Sequence, residues 1–93
     1  MPAFSGIWAG AAQMAAPGYL AVLYDQQGND ARALAEFDKA LKLTPKDADL
    51  LDDLGYYYYH RHDWQQAEEH FLRAIAQSPE HERAYVNLGL TLG

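Results

Sequence analysis

Apolar and polar positions follow the period of an α-helix along most of the chain. In residues 33–41 apolar side chains stand at positions i, i+4, i+7 and i+8, and residues 67–75 repeat these intervals. This spacing gathers the apolar side chains on one face of a helix with 3.6 residues per turn. The pattern predicts five helices, near residues 17–27, 30–43, 47–60, 64–77 and 81–92.

Turn and cap residues group the predicted helices into pairs. Short turns at residues 28–30 and 62–63 join the two helices of a pair, and Asn29 and Asp63 are suitable N-caps for the helix that follows. Pro45 and Pro79 end the second helix of each pair, because proline cannot continue the helical hydrogen-bond ladder. The sequence therefore predicts antiparallel helix pairs joined by tight turns.

The pairs recur with a period of 34 residues, and the matches fall at small or apolar positions. One helix pair cannot cover its own apolar face, so recurring pairs are expected to stack. We therefore predict that the recurring positions, with Tyr85, form the packing contacts. The recurring positions are Leu20, Leu54 and Leu88; Tyr24 and Tyr58; Ala33 and Ala67; Phe37 and Phe71; Ala40 and Ala74; Pro45 and Pro79; and Gly55 and Gly89.

The second unit carries the motif L-x-x-L-G-x-x-Y at residues 51–58, followed by A-x-x-x-F-x-x-A at residues 67–74 and a proline. This stretch resembles a tetratricopeptide repeat. The resemblance implies an all-α fold of antiparallel helix pairs stacked as a right-handed solenoid of about five helices. It divides the chain into a first repeat at 14–47, a second repeat at 48–81 and the first helix of a third at 82–93. In the first repeat, Pro17 replaces the opening aromatic residue and Ala21 replaces the glycine.

The resemblance also implies a function, namely holding a peptide or helix of another protein in a concave groove. In this family the first helix of each pair lines the groove. Aspartates beside tyrosines there would favour a basic or mixed apolar partner; alternatively, the tyrosines merely cover the interior of the superhelix. The groove residues implied in this way are Val22, Asp25, Asp49, Asp52, Tyr56, Tyr59, Arg83 and Asn87.

One kind of ligand is not expected. Some members of the family bind a C-terminal carboxylate through a clamp of basic and amide side chains. The matching positions here hold Gly18, Val22, Asp53, Arg83 and Asn87. Only Arg83 is basic where the clamp needs a cation, and Asp53 would repel a carboxylate. The sequence therefore predicts no binding of chaperone tails.

The two ends of the chain leave alternatives open. Residues 1–13 fit no repeat; we expect a frayed segment or single turn whose Phe4 or Trp8 covers the first pair, and a remnant of an upstream repeat helix is the alternative. At the other end, Val86 and Leu90 have no obvious cover. A second hypothesis is therefore a structural segment of a longer solenoid, or a unit that self-associates through its last helix.

Length and composition exclude several classes of protein. The chain has 93 residues, enough for one domain, and a net charge of −6 that disfavours binding to nucleic acid. It has no cysteine, so disulfides and thiolate chemistry are excluded. No apolar run reaches the roughly 18 residues of a membrane span, and no secretory signal is visible, so we expect no membrane partner and favour the cytoplasm.

No pattern of catalytic or cofactor-binding residues is present. The serines, histidines and carboxylates show no triad spacing, and no glycine-rich phosphate loop occurs, so neither an enzyme nor a cofactor is expected. The adjacent pairs 52–53 and 68–69 point to different helix faces and are interpreted as solvated carboxylates. His60, His62, Asp63 and His70 offer at most three ligands, so no metal site is predicted.

Overall fold

The structure, a computed structural model, describes residues 18–93. The prediction of helix pairs is confirmed, and each predicted helix end lies within two residues of the observed one. The expectations for Phe4, Trp8 and Pro17 fall outside the described residues. Five helices occupy the described range: α1 (Tyr19–Gln26), α2 (Asp30–Leu43), α3 (Ala48–His60), α4 (Trp64–Gln77) and α5 (Glu82–Leu92).

Four of the helices begin at a side-chain cap. The predicted caps Asn29 and Asp63 are confirmed, since each accepts a hydrogen bond from the backbone N–H three residues on, at 3.4 and 3.3 Å. Asp47 and the ring Nδ1 of His81 cap α3 and α5 in the same way, both at 3.2 Å. These bonds satisfy N–H groups that a helix leaves unpaired in its first turn.

A core between the pairs is centred on Phe37 of α2, which is 1% exposed. Its ring meets the Tyr57 ring of α3 edge to face, with centroids 5.6 Å apart. The second helix of the first pair therefore packs on the first helix of the second pair, which is how a solenoid is continued. The buried residues of this core are Ala21, Ala33, Phe37, Ala40, Leu50, Leu54 and Tyr57.

Within the second pair, α3 and α4 approach each other closely at Gly55. A Cβ atom built on Gly55 would lie 2.6 Å from Cε1 of Phe71, whose side chain is fully buried. Ala67 and Ala74 of α4 are fully buried as well. Small residues at the recurring positions thus leave room for one aromatic ring between the helices.

The fifth helix, α5, covers the second pair with one face only. Its Ala84 is fully buried beside Leu51 and Ala74. Two predicted packing residues of α5 differ from the expectation: Tyr85 is 50% exposed and Gly89 has open space around it, because the described chain places no helix there. Of the remaining recurring positions, Tyr24, Tyr58 and Leu88 are half-buried, whereas Leu20, Pro45 and Pro79 are exposed.

Candidate functional site

The first helices of successive pairs, α1, α3 and α5, together line a groove. The groove consists of two adjoining cavities of about 520 and 510 Å³. Val22, Asp53 and Tyr56 line both cavities, and we call these three residues the groove centre. The first cavity extends from the centre towards the turn between α1 and α2, and the second extends towards α5.

Arg61, the residue after α3, bounds the first cavity. Its guanidinium lies 2.9 Å from Oδ1 of Asp25 and also bonds Asp30 at the start of α2. The same group donates to the backbone carbonyl of Tyr57 at 3.1 Å and lies 3.6 Å from the centroid of that ring. The hydrogen bond from Arg61 lowers the pKa of the Asp30 carboxyl. Arg61 therefore joins the two helix pairs, and two carboxylates balance its charge.

Asp52 and Arg83 lie on facing helices in the second cavity. Asp52 is 2% exposed and accepts a hydrogen bond from Nδ2 of Asn87 at 3.0 Å. Arg83 lies 3.7 Å from Asp52 and 3.2 Å from Asp49. Asp49 is also 2.6 Å from the ring Nε2 of His81, and this hydrogen bond lowers the pKa of the Asp49 carboxyl. Arg83, like Arg61, is thus held by two carboxylates.

Asp53, at the groove centre, has no such cation. Among residues 18–93, no nitrogen of a basic side chain lies within 4.0 Å of its carboxylate. Burial raises the pKa of Asp53 to about 6, and although Arg83 opposes this, the charges of Asp52, Asp49 and Asp47 add to it. The folded chain therefore keeps this proton to a higher pH than the unfolded chain. Ionisation of Asp53 lowers stability as the pH rises from 3.8 to about 6, and that loss persists at neutral pH.

Six of the eight groove residues implied by the repeat line the two cavities: Val22, Asp25, Asp52, Tyr56, Arg83 and Asn87. The other two lie elsewhere. Asp49 is an exposed partner of Arg83 at the edge of the groove. Tyr59 is half-buried and packs on the Trp64 ring, with centroids 5.5 Å apart. The interpretation of Asp52 as a solvated carboxylate is wrong, because α5 covers it and supplies the amide of Asn87.

Arg61 was missed by the sequence reasoning, and Asp53 was considered only as a group that would repel a carboxylate ligand. Asp53 stands 34 residues before Asn87, so the same register places both residues on the groove-lining helices. Arg61 has no comparable signal, because its partner Asp25 lies 36 residues away in the chain. Gln26, Asp30, His60 and Glu82 also line the cavities without having been predicted.

The histidines of the second pair make ordinary packing contacts. Nδ1 of His70 is 2.8 Å from the backbone carbonyl of Gln66, and the His62 ring stacks on Trp64 at 5.0 Å. No three His, Asp or Glu side chains in the described part of the chain are arranged to hold a metal ion. No helix within residues 18–93 is long and apolar enough to cross a bilayer.

Comparison with known proteins agrees with this architecture. The sequence model of the family described as "Tetratricopeptide repeat" matches residues 18–47 and 48–81. The human protein "Tetratricopeptide repeat protein 6" is 27% identical over 70 residues, which cover 75% of this chain and 14% of the human protein. The chain thus spans about a seventh of that relative's length. With two consecutive repeats matched over more than half of its residues, the chain belongs to the tetratricopeptide repeat family.

Proposed function

We propose that the chain binds a peptide or helix of another protein in the groove lined by α1, α3 and α5. Tetratricopeptide repeats generally mediate protein–protein interactions. The observation that carries the proposal is the groove centre, where Tyr56 is 44% exposed beside Val22, with Val86 of α5, 62% exposed, nearby in the second cavity. An exposed tyrosine offers a large contact area and a polar tip at low cost in side-chain entropy.

The charges that line the groove favour a partner with basic and apolar side chains. Carboxylates outnumber guanidinium groups there, and complementary charge speeds association and disfavours partners of the same sign. The family is typically a non-enzymatic interaction module, and we assign this chain no catalytic step. The charged lining residues are Asp25, Asp30, Asp52, Asp53 and Glu82 against Arg61 and Arg83.

Selection from a random-peptide display library tests the groove. Peptides enriched on the chain are expected to bind the Tyr56→Ala variant about tenfold more weakly, because a central aromatic contact contributes at least ~1.4 kcal/mol. The matched control is Leu72→Ala, which removes a side chain of similar exposure, 48%, from α4 outside both cavities. Affinities are measured by fluorescence anisotropy on synthesised peptides. If the enriched peptides bind Tyr56→Ala with the same affinity as the unsubstituted chain, the binding surface lies elsewhere.

A second candidate function is self-association, in which one copy stacks on another through α5. The exposed face of that helix supports it. Tyr85 and Leu88 occupy the positions that Leu51 and Leu54 hold one repeat earlier, where both leucines are buried. Light scattering behind size exclusion, over a wide concentration range, is expected to show a dimer that forms with increasing concentration and is lost in Tyr85→Glu. A monomer of 10.4 kDa at every concentration would contradict this function.

A further inference from the structure

We propose that Asp53 anchors one basic side chain, a lysine or arginine, of the segment bound in the groove. This inference rests on the proposed function, because it requires a segment to occupy the groove. It adds the carboxylate that binds a cation of the partner and the pH at which that contact is lost.

The position of Asp53 suits an anchor. It lies at the groove centre and lines both cavities, so a segment that follows the groove from α1 to α5 must pass it. Val22 and Tyr56 flank it with apolar surface. Lysine and arginine pack a long aliphatic stem on such surface while the charged end reaches a carboxylate. The groove centre therefore offers both parts of a site for one basic side chain.

The other charges of the groove leave Asp53 without a partner. Arg61 is held by Asp25 and Asp30, and Arg83 is held by Asp49 and Asp52. The described chain brings no basic nitrogen within 4.0 Å of Asp53. Glu82, another carboxylate of the lining, is exposed and so remains hydrated. Among the groove carboxylates, Asp53 therefore gives an added cation the most favourable interaction energy, because burial has already removed part of the hydration of its carboxylate.

The charged groups around Asp53 decide the sign of the ligand. Taken together, the carboxylates around Asp53 outnumber the guanidinium groups, so the potential at the groove centre favours a cation and opposes an anion. The groups concerned are Asp47, Asp49, Asp52, His60 and Arg61 from α3 and its ends, Asp25 and Asp30 from the first pair, and Glu82, Arg83 and His81 from α5 and its cap.

Binding at this anchor is coupled to a proton. Burial sets the pKa of Asp53 at about 6, so the carboxyl is ionised at neutral pH and largely protonated one pH unit below that value. A cation binds the ionised form, so the contact is expected to weaken about tenfold between about pH 7.5 and about pH 5. The Asp53→Asn variant, titrated over the same range, separates the effect of Asp53 from that of every other titratable group.

The test is a double-mutant cycle on a selected peptide. A random-peptide display library is selected on the chain at about pH 7.5, and the enriched peptides are expected to share a lysine or arginine at one position. The strongest peptide is synthesised with that residue and with glutamine in its place, and both forms are titrated against the chain and against Asp53→Asn. Asp38→Asn, the same substitution at an exposed carboxylate of α2, is the matched control.

The expected result is that the glutamine peptide binds the unsubstituted chain and Asp38→Asn about tenfold more weakly, but binds Asp53→Asn within twofold of the basic peptide. The tenfold difference should vanish at about pH 5. Peptides that depend on Tyr56 but carry no shared basic residue, or whose basic residue is equally favoured on Asp53→Asn, would overturn the anchor and leave the proposed function standing. A selection in which no peptide depends on Tyr56 would overturn both.

Discussion

Replacement of Phe71 by alanine is expected to lower the free energy of unfolding by about 4 kcal/mol. The Phe71 side chain is fully buried and lies against Gly55, which has no side chain that could fill the cavity left behind. A small domain has a total stability of only about 5–10 kcal/mol, so this variant should be partly unfolded at physiological temperature. Urea denaturation followed by circular dichroism at 222 nm measures the change.

The neighbouring residue supplies the control for that prediction. Leu72 is 48% exposed on the same helix, so Leu72→Ala removes a smaller apolar side chain without opening a cavity. Its free energy of unfolding should change by less than about 1 kcal/mol. Equal losses in the two variants would mean that Phe71 is not the centre of the contact between α3 and α4.

Alanine at Gly55 and at Gly89 is expected to shift stability in opposite directions. The two glycines occupy the same position of successive repeats, and alanine favours a helix over glycine by about 1 kcal/mol at either site. At Gly55 the new methyl group would lie 2.6 and 2.7 Å from ring atoms of Phe71, a buried side chain with no room to move. Overpacking of this kind costs about 1–3 kcal/mol. Within residues 18–93, no atom beyond the adjoining backbone of α5 lies within 4 Å of the corresponding position at Gly89.

We therefore expect Gly55→Ala to lower the free energy of unfolding by up to about 2 kcal/mol and Gly89→Ala to raise it by up to about 1 kcal/mol. Thermal and urea denaturation of the two variants beside the unsubstituted chain give both values. A stabilising effect at both glycines would show that the close approach of α3 and α4 is not required.

The comparison of these two glycines also shows how far the repeat pattern extends. Register and motif place Gly55 and Gly89 in the same role, and Leu54 and Leu88 likewise. Gly55 and Leu54 are buried, whereas Gly89 is exposed and Leu88 is only half-buried. The pattern identifies which positions are suited to packing, but burial also needs a neighbouring helix. Tyr85 illustrates the same limit, since it stands where Leu51 is buried and remains 50% exposed.

The groove residues show the same limit of the repeat pattern. The repeat register places Val22, Tyr56 and Asn87 on the groove-lining helices, and all three line the cavities. It cannot distinguish Asp52, which is buried and hydrogen-bonded to Asn87, from Asp53, which is half-buried and has no basic partner in the described chain. The difference between these adjacent carboxylates arises from side chains that approach from other helices.

The sequence by itself determined the helices, their pairing and the residues suited to packing. Cap residues, prolines and the 34-residue period act through local backbone chemistry and recurring shape, so they can be read in order along the chain. Only the tertiary structure decided which groove carboxylates pair with an arginine and which do not. Arg61 reaches Asp25 across 36 residues and Arg83 reaches Asp49 across 34, and these ion pairs leave Asp53 without a basic partner among residues 18–93. Such pairings depend on the reach and burial of side chains brought together by stacking, which no local pattern records.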